Sequence, residues 1–281
     1  MKSSSNNITT PSAPASAPRK AGLAALLLLA WLAVGLGGCA TFDKTLDFFG
    51  LGDPDQGPQT PEFLAMNGVE EMNRGNYKKA LKIFQDIKDR YPFSAVGLLA
   101  ELKAADAQFY LDNYREAHLL YQEFEANHPT NEAIPYVLFQ MGLCHYLQID
   151  SIDRDPGHAI DAIAAFSRLV QSFPGSPYEV EARARIQASR DFLARHEMYV
   201  ATFYVKTGEY EQAEGRLDYL LTTYPDTAIV PKAGELLALL EAGTPPTRSW
   251  RDWLPDLSMP NWRGFIEAMT PSVFGSGTPS E

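Results

Sequence analysis

One phrase recurs four times in this chain, as RYPFSAV at 90–96, NHPTNEAI at 127–134, SFPGSPYEV at 172–180 and TYPDTAIV at 223–230. In each, an aromatic residue or a histidine precedes proline, and a Ser, Thr or Asn follows before a helix-forming run begins. Proline cannot continue a helix, because it lacks the N–H and its ring clashes with the preceding turn. The short polar side chain is able to cap the helix that comes next. Between the phrases the patterning is helical up to about residue 242, with almost no period-two alternation, so the chain is expected to be all-α.

Regular punctuation calls for a repeat test. With Pro61 as position 1 of a 34-residue unit, Gly68, Gly75, Tyr77, Ala80, Phe84 and Pro92 fall at positions 8, 15, 17, 20, 24 and 32. This is the tetratricopeptide pattern. Gly75 permits the left-handed turn between paired helices. Ala80 is small where two helices cross, and Tyr77, Ala80, Leu81, Phe84, Ile87 and Tyr91 share one face. A second copy reads Tyr114, Ala117, Tyr121, Phe124, Pro129, with Asp112 and Asn113 at the turn. The third keeps Ala162, Phe166, Leu169 and Pro174 but is split by QIDSIDRDPGH at 148–158, and the last reads Gly208, Tyr210, Ala213, Leu217, Leu220, Pro225. Residues 178–206 contain neither Gly nor Pro and read as one long helix or as two broken near His196. The expected architecture is a right-handed α-solenoid of about five helix pairs, capped by a helix over 228–241. Tyr77, Phe84, Tyr121, Phe166 and Tyr210 are expected in its core. Phe109, Tyr110, Phe139, Tyr146, Phe203 and Tyr204, on first helices, are candidate anchors on the concave face.

The ends differ from the middle. Lys2, Arg19 and Lys20 precede sixteen apolar residues at 21–36, then Gly37, Gly38 and Cys39. That run is short of the roughly 20 residues a spanning helix needs, and its layout is that of a secretory signal. LGGC resembles a lipobox, so 1–38 reads as a lipoprotein signal peptide and Cys39 as the acylated first residue of the mature chain. The other reading is an uncleaved anchor helix. Ala40, where an aspartate would argue for retention, points to the outer membrane. Residues 39–60 read as a tether, 61–131 as N-terminal repeats, 132–175 as the third repeat with its insertion, and 176–243 as C-terminal repeats with a cap. The tail, 244–281, is largely irregular and holds Trp250, Trp253 and Trp262, three of the chain's four tryptophans. It reads either as a docking peptide or membrane contact, or as a segment folded back on the last helix.

Chemistry is sparse. Removing the +3 of the leader from the formal −11 leaves −14 on the rest, a poor match for nucleic-acid phosphates. The histidines, at 118, 128, 145, 158 and 196, form no metal-binding spacing, and no nucleophile elbow or phosphate-binding glycine loop appears. No catalytic residue, metal or cofactor is therefore assigned. Asp153, Arg154 and Asp155 read as a local ion pair or partner contact rather than as an acid–base pair. Cys144 reads as a small buried apolar residue, and His196–Glu197 as structural.

Four segments together resemble the BamD (ComL-type) lipoproteins: GNYKKALKIFQDIKDRYP at 75–92, DRDP at 153–156, FPGSPYEVEARARI at 173–186, and LARHEMYVATFYVKTGEYEQAEGRLDYLLTTYPDT at 193–227. The resemblance implies a non-enzymatic scaffold of the β-barrel assembly (Bam) machinery, lipid-anchored on the periplasmic face of the outer membrane. It implies that the C-terminal repeats grip the POTRA region of the barrel-forming subunit, with Arg216 at that interface and Tyr210 and Glu211 in the same segment. Arg154 and Asp155 join them as candidate contacts. Companion Bam lipoproteins are further partners, and unfolded barrel proteins would meet the N-terminal repeats. The alternative is another periplasmic repeat lipoprotein, an adaptor in cell-envelope or peptidoglycan maintenance. A cell-wall lytic enzyme would need a catalytic domain, and the segment at 244–281 is too short to supply one.

Overall fold

The computed structural model describes residues 60–246 and 248–269. Cys39 and the leader lie outside the described residues, as do the tether up to residue 59 and the tail from 270 to 281. No described residue is in a strand. Among the described residues nine helices run in succession: α1 (Pro61–Asn73), α2 (Tyr77–Arg90), α3 (Ala95–Tyr110), α4 (Tyr114–Asn127), α5 (Ile134–Tyr146), α6 (Gly157–Ser172), α7 (Glu179–Thr207), α8 (Tyr210–Thr223) and α9 (Val230–Glu241). A 3-10 turn (Trp250–Trp253) and a short α10 (Trp262–Met269) follow. Each of α1 to α8 packs on the next, and first helices of neighbouring pairs touch as well, α1 on α3 and α5 on α7. The result is an α-solenoid of four complete pairs, with α9 as the opening helix of a fifth.

The recurring prolines act by one mechanism. Tyr91, His128, Phe173 and Tyr224, each just before a proline, all have φ between −126 and −134° and ψ between 50 and 61°. A proline ring excludes helical geometry from the residue ahead of it, so four second helices stop in the same way. Each of these residues still donates its N–H to the carbonyl four back, at 2.8 to 2.9 Å. Inside the pairs the turns need positive φ, supplied by Gly75 (+78°), Asp112 (+60°) and Gly208 (+82°).

Capping follows the expected pattern in only one of the four phrases, at Ser94, while Asn131 closes a turn just ahead of α5. Ser94 Oγ accepts from the Gly97 N–H at 3.0 Å, and Asn131 Oδ1 from Ala133 at 2.8 Å. Ser176 and Thr227 do not cap. Thr227 Oγ1 instead donates to the Tyr224 carbonyl at 2.8 Å, while the Ala228 N–H goes to Asp191 on α7 at 3.1 Å. At the start of α7 the Glu179 carboxylate reaches back to the Gly175 N–H at 2.5 Å.

The core repeats with the sequence. Ala80, Ala117, Ala162 and Ala213 are fully buried, as are Phe84, Tyr121, Phe166 and Leu217 four positions on. Two first-helix glycines make room for rings. A Cβ on Gly68 would sit 2.7 Å from the Phe84 ring, and one on Gly142 would sit 2.5 Å from Phe166. Tyr77 and Tyr210 depart from expectation, because both are only half-buried. They open the second helices of the first and last pairs, and Tyr114, at the same position of the second pair, is half-buried as well.

Residues 178–206 are resolved in favour of a single helix. At 29 residues, α7 is about 44 Å long. Its first half joins the middle core through Ala182 and Ala188, and its second half joins the C-terminal core through Phe192, Met198, Ala201 and Val205.

The Gly142 contact gives a direct test. Gly142→Ala should destabilise the protein by about 1–3 kcal/mol through overpacking against Phe166. Gly234→Ala in α9, where a Cβ meets no atom within 4 Å, should stabilise by up to about 1 kcal/mol. Urea unfolding of the two variants side by side reads the contrast.

Candidate partner-binding site

The candidate residues of the C-terminal repeats sit on α8 and on the connection between α5 and α6. On α8, alternating burial of Ala213, Leu217 and Leu220 turns Glu211, Gln212, Gly215 and Arg216 outward. The Arg216 side chain is 46% exposed and donates from Nη1 to Glu197 Oε2 at 3.1 Å. Glu197, on α7, is only 12% exposed, so the guanidinium is held by a carboxylate rooted in the core surface while its remaining donors face solvent. Glu211 lies in the first turn of α8, where the helix dipole favours a negative charge.

The split in the third repeat is anchored to this same region. Ile152 is fully buried in the cluster that also holds Leu217 and Met198. His196 Nδ1 on α7 donates to the Ile152 carbonyl at 2.6 Å. Arg154, beside it, is exposed and pairs with Asp150 within the loop, not with its sequence neighbours Asp153 or Asp155. Asp153 bonds to the Ser151 hydroxyl, which holds its carboxyl below the usual range. Asp155 Oδ1 accepts from the Gly157 N–H at 3.0 Å and opens α6. The fold thus brings the Arg154 loop and the Arg216 helix onto one apolar cluster, with Arg154 a solvent-facing cation and Asp155 a turn-forming residue.

A second surface lies in the N-terminal pairs. A groove of about 290 Å³ is lined by Val69, Met72, Tyr77, Lys103, Asp106, Tyr110 and Tyr136. Tyr77 and Tyr110 stack with ring centres 5.1 Å apart. Below them the buried Asp106 accepts from Tyr121 at 2.7 Å and Tyr136 at 2.8 Å, and faces Lys103 at 2.8 Å. Burial, reinforced by the Asp106 charge, pushes both tyrosine hydroxyls upward and keeps them as donors. Of the aromatics expected on the concave face, Phe139 and Tyr146 are buried, and Phe109 and Tyr204 half-buried. Tyr110 and Phe203 are exposed.

The tail does not merely cover the end of the last helix. It runs back along α7. Trp250 and Trp253 pack on the C-terminal core, Met259 on both cores, and Trp262 and Phe265 on the middle core. Pro255 and Pro260 are buried. The Arg185 guanidinium lies 4.0 Å from the Trp262 ring and 4.8 Å from the Tyr146 ring, with Glu181 2.6 Å from its Nη2. Lys232 donates to the Leu254 carbonyl at 3.1 Å. Aromatic spacing in the tail carried no sign of these seats, because the partners on α5 and α7 lie far upstream in the chain.

Two further features escaped the sequence reading. Asp106 stands on a mostly apolar helix, and its tyrosine partners, Tyr121 and Tyr136, come from the next two helices. His145, His158 and Asp161 are likewise separated in sequence but converge in space. Cys144 is fully buried, and burial pushes its thiol up to about 12, so it is not a reactive thiolate. Among the described residues no helix is long and apolar enough to cross a membrane.

Residues 59–242 match the YfiO family, described as outer membrane lipoprotein. The chain belongs to this family. Its relatives include the outer membrane protein assembly factor BamD of Neisseria gonorrhoeae, 31% identical over 231 residues that span 77% of this chain and 82% of the relative. BamD of Vibrio cholerae is 30% identical over 65% of this chain and 80% of its own, and BamD of Caulobacter vibrioides 29% identical over 64% and 59%. A solved tetratricopeptide repeat protein from Parabacteroides merdae aligns over 88% of this chain and 86% of its own at 15% identity and a TM-score of 0.38. The repeat assignment of this YfiO-family chain stands on its own four matched helix pairs. These relatives are named as assembly factors, not as enzymes.

Trp262→Ala should release the tail from α7 while leaving the repeats folded. Limited proteolysis reads this as faster cleavage within 244–262, with the fragment ending near Ala242 surviving.

Proposed function

We propose that this chain is the lipid-anchored scaffold subunit of an outer-membrane β-barrel assembly (Bam) complex. In this reading Cys39 carries the lipid, the repeats stand on the periplasmic face, and the outward face of α8 binds the POTRA region of the barrel-forming subunit. The observation that carries it is Arg216, an exposed guanidinium pinned by the nearly buried Glu197 on a folded helix. A fixed planar donor set on a net acidic body suits recognition of a carboxylate or backbone carbonyls on a partner. Arg154, on the loop packed against the same cluster, extends that cationic surface. Family membership and the assembly-factor relatives support the complex as the setting.

The N-terminal groove is the natural place for unfolded barrel proteins. Its stacked tyrosines offer flat apolar contact, and Lys103 offers a cation beside them. The inner face of α7 is occupied by the chain's own tail, which leaves the groove between α1 and α5 open to an extended segment. Companion Bam lipoproteins are further partners in this reading.

The test is co-purification of the barrel-forming subunit from detergent-extracted outer membranes with wild-type, Arg216→Ala and Arg216→Glu chains. Losing an exposed ion pair costs at most about 1 kcal/mol, so Arg216→Ala should melt close to wild type. Reduced recovery with Arg216→Ala and near-complete loss with Arg216→Glu is expected. Equal recovery from all three chains rejects Arg216 as a contact. Capture of peptidoglycan-associated proteins in place of a barrel-forming subunit favours the cell-envelope adaptor.

A further inference from the structure

His145 stands in the last turn of α5, and His158 and Asp161 stand three residues apart near the start of α6. The connection at 147–156 therefore leaves and returns between them. Ligand atoms of the three side chains lie within 4.8 Å of one another. The Nδ1 of His145 is 3.7 Å from Asp161 Oδ2, beyond hydrogen-bond reach. It is a buried nitrogen with no hydrogen-bond partner. Buried polar atoms are nearly always satisfied, and one that is not points to a group that completes it. The ring of His118, on α4, meets that of His145 edge-on with centres 4.6 Å apart.

We propose that His145, His158 and Asp161 bind one divalent transition cation, with zinc the best match. In a tetrahedral zinc site the bonds to nitrogen and oxygen are about 2.0–2.2 Å, which places neighbouring donor atoms roughly 3.3–3.6 Å apart. The His145–Asp161 separation is already close to that span. His158 and Asp161 are both exposed and free to close the remaining distance by side-chain rotation. Two imidazoles and one carboxylate form a borderline donor set that suits zinc, copper or nickel, whereas calcium and magnesium take oxygen ligands. The fourth position is left to water or to the adjacent His118 imidazole. Burial lowers the proton affinity of His118 and His145, favouring the neutral form that ligates.

Such an ion would fasten the base of the inserted connection. The far part of that loop is already fixed, by Ile152 in the C-terminal core and by His196 on its carbonyl. A cation joining α5 to α6 would fix the other end, setting the position of Arg154. The site stands on its own geometry and does not depend on the assembly role.

The experiment uses the full chain without a polyhistidine tag, stripped by chelator and titrated with zinc chloride in a calorimeter. The expected result is one equivalent bound with micromolar or tighter affinity. His158→Ala and Asp161→Asn should each weaken it at least tenfold with an unchanged helical spectrum. His128→Ala, at a histidine paired with Glu101 at 2.9 Å away from the site, should bind as wild type. Cobalt in place of zinc should give the visible bands of a tetrahedral site in the wild type and lose them in His158→Ala. Absence of saturable binding at one equivalent overturns the proposal. So does an affinity unchanged in the His158→Ala/Asp161→Asn double variant, or one weakened equally by His128→Ala.

Discussion

The polar groups buried on α7 organise the C-terminal half of the molecule. Arg185, Asp191 and Thr202 lie on a helix that is packed on several sides, and buried polar groups are costly unless partnered. Each is partnered by a different segment. Asp191 takes the Ala228 N–H that opens the approach to α9 and pairs with Arg195 at 2.7 Å. Arg185 is enclosed by Glu181, Tyr146 and Trp262. Thr202 donates to the Met198 carbonyl at 2.8 Å and lies 3.4 Å from the Trp253 carbonyl. The cap, the tail and the last turn thus all answer to one helix. Two of its other side chains, His196 and Glu197, hold the inserted loop and Arg216.

This arrangement explains how a repeat protein presents distinct surfaces. The N-terminal groove stays open, floored by the Asp106 network and edged by the Tyr77–Tyr110 stack. Along α7 the equivalent face is filled by the chain itself. The outward side of α8 carries an arginine whose orientation is set from below by Glu197. On a strongly acidic body, Arg216 and Arg154 stand as cations among many acids, which favours selectivity for a partner over bulk affinity.

Much of the fold was legible because the repeat writes local rules at fixed spacing. The prolines, the small residue at Ala80 and its equivalents, and the large apolar residue four positions later each have a mechanical role that the structure reproduces four times. The long helix was ambiguous because absence of Gly and Pro permits one helix without requiring it, and the partners on both sides of α7 decide the matter. Ser176 and Thr227 do not cap because they stand two residues ahead of the N-cap positions, which Tyr178 and Ile229 occupy. Tail seating, the Asp106 network and the His145–His158–Asp161 cluster depend on contacts between different helices, which periodicity within one helix does not encode. At the candidate site, Arg216 was singled out by the resemblance of its segment, whereas its exposure and its pairing with Glu197 required knowing how α8 crosses α7.

The central claim is that the outward face of α8 is the docking face. A photocrosslinking residue at position 212, one helical turn before Arg216, tests it in living cells, with position 119 on the exposed side of α4 as the reference. The account predicts an adduct from 212, and none from 119, in which mass spectrometry identifies the periplasmic region of a barrel-forming outer-membrane subunit. Adducts from 212 that contain no such subunit, or the same adduct from both positions, would contradict it.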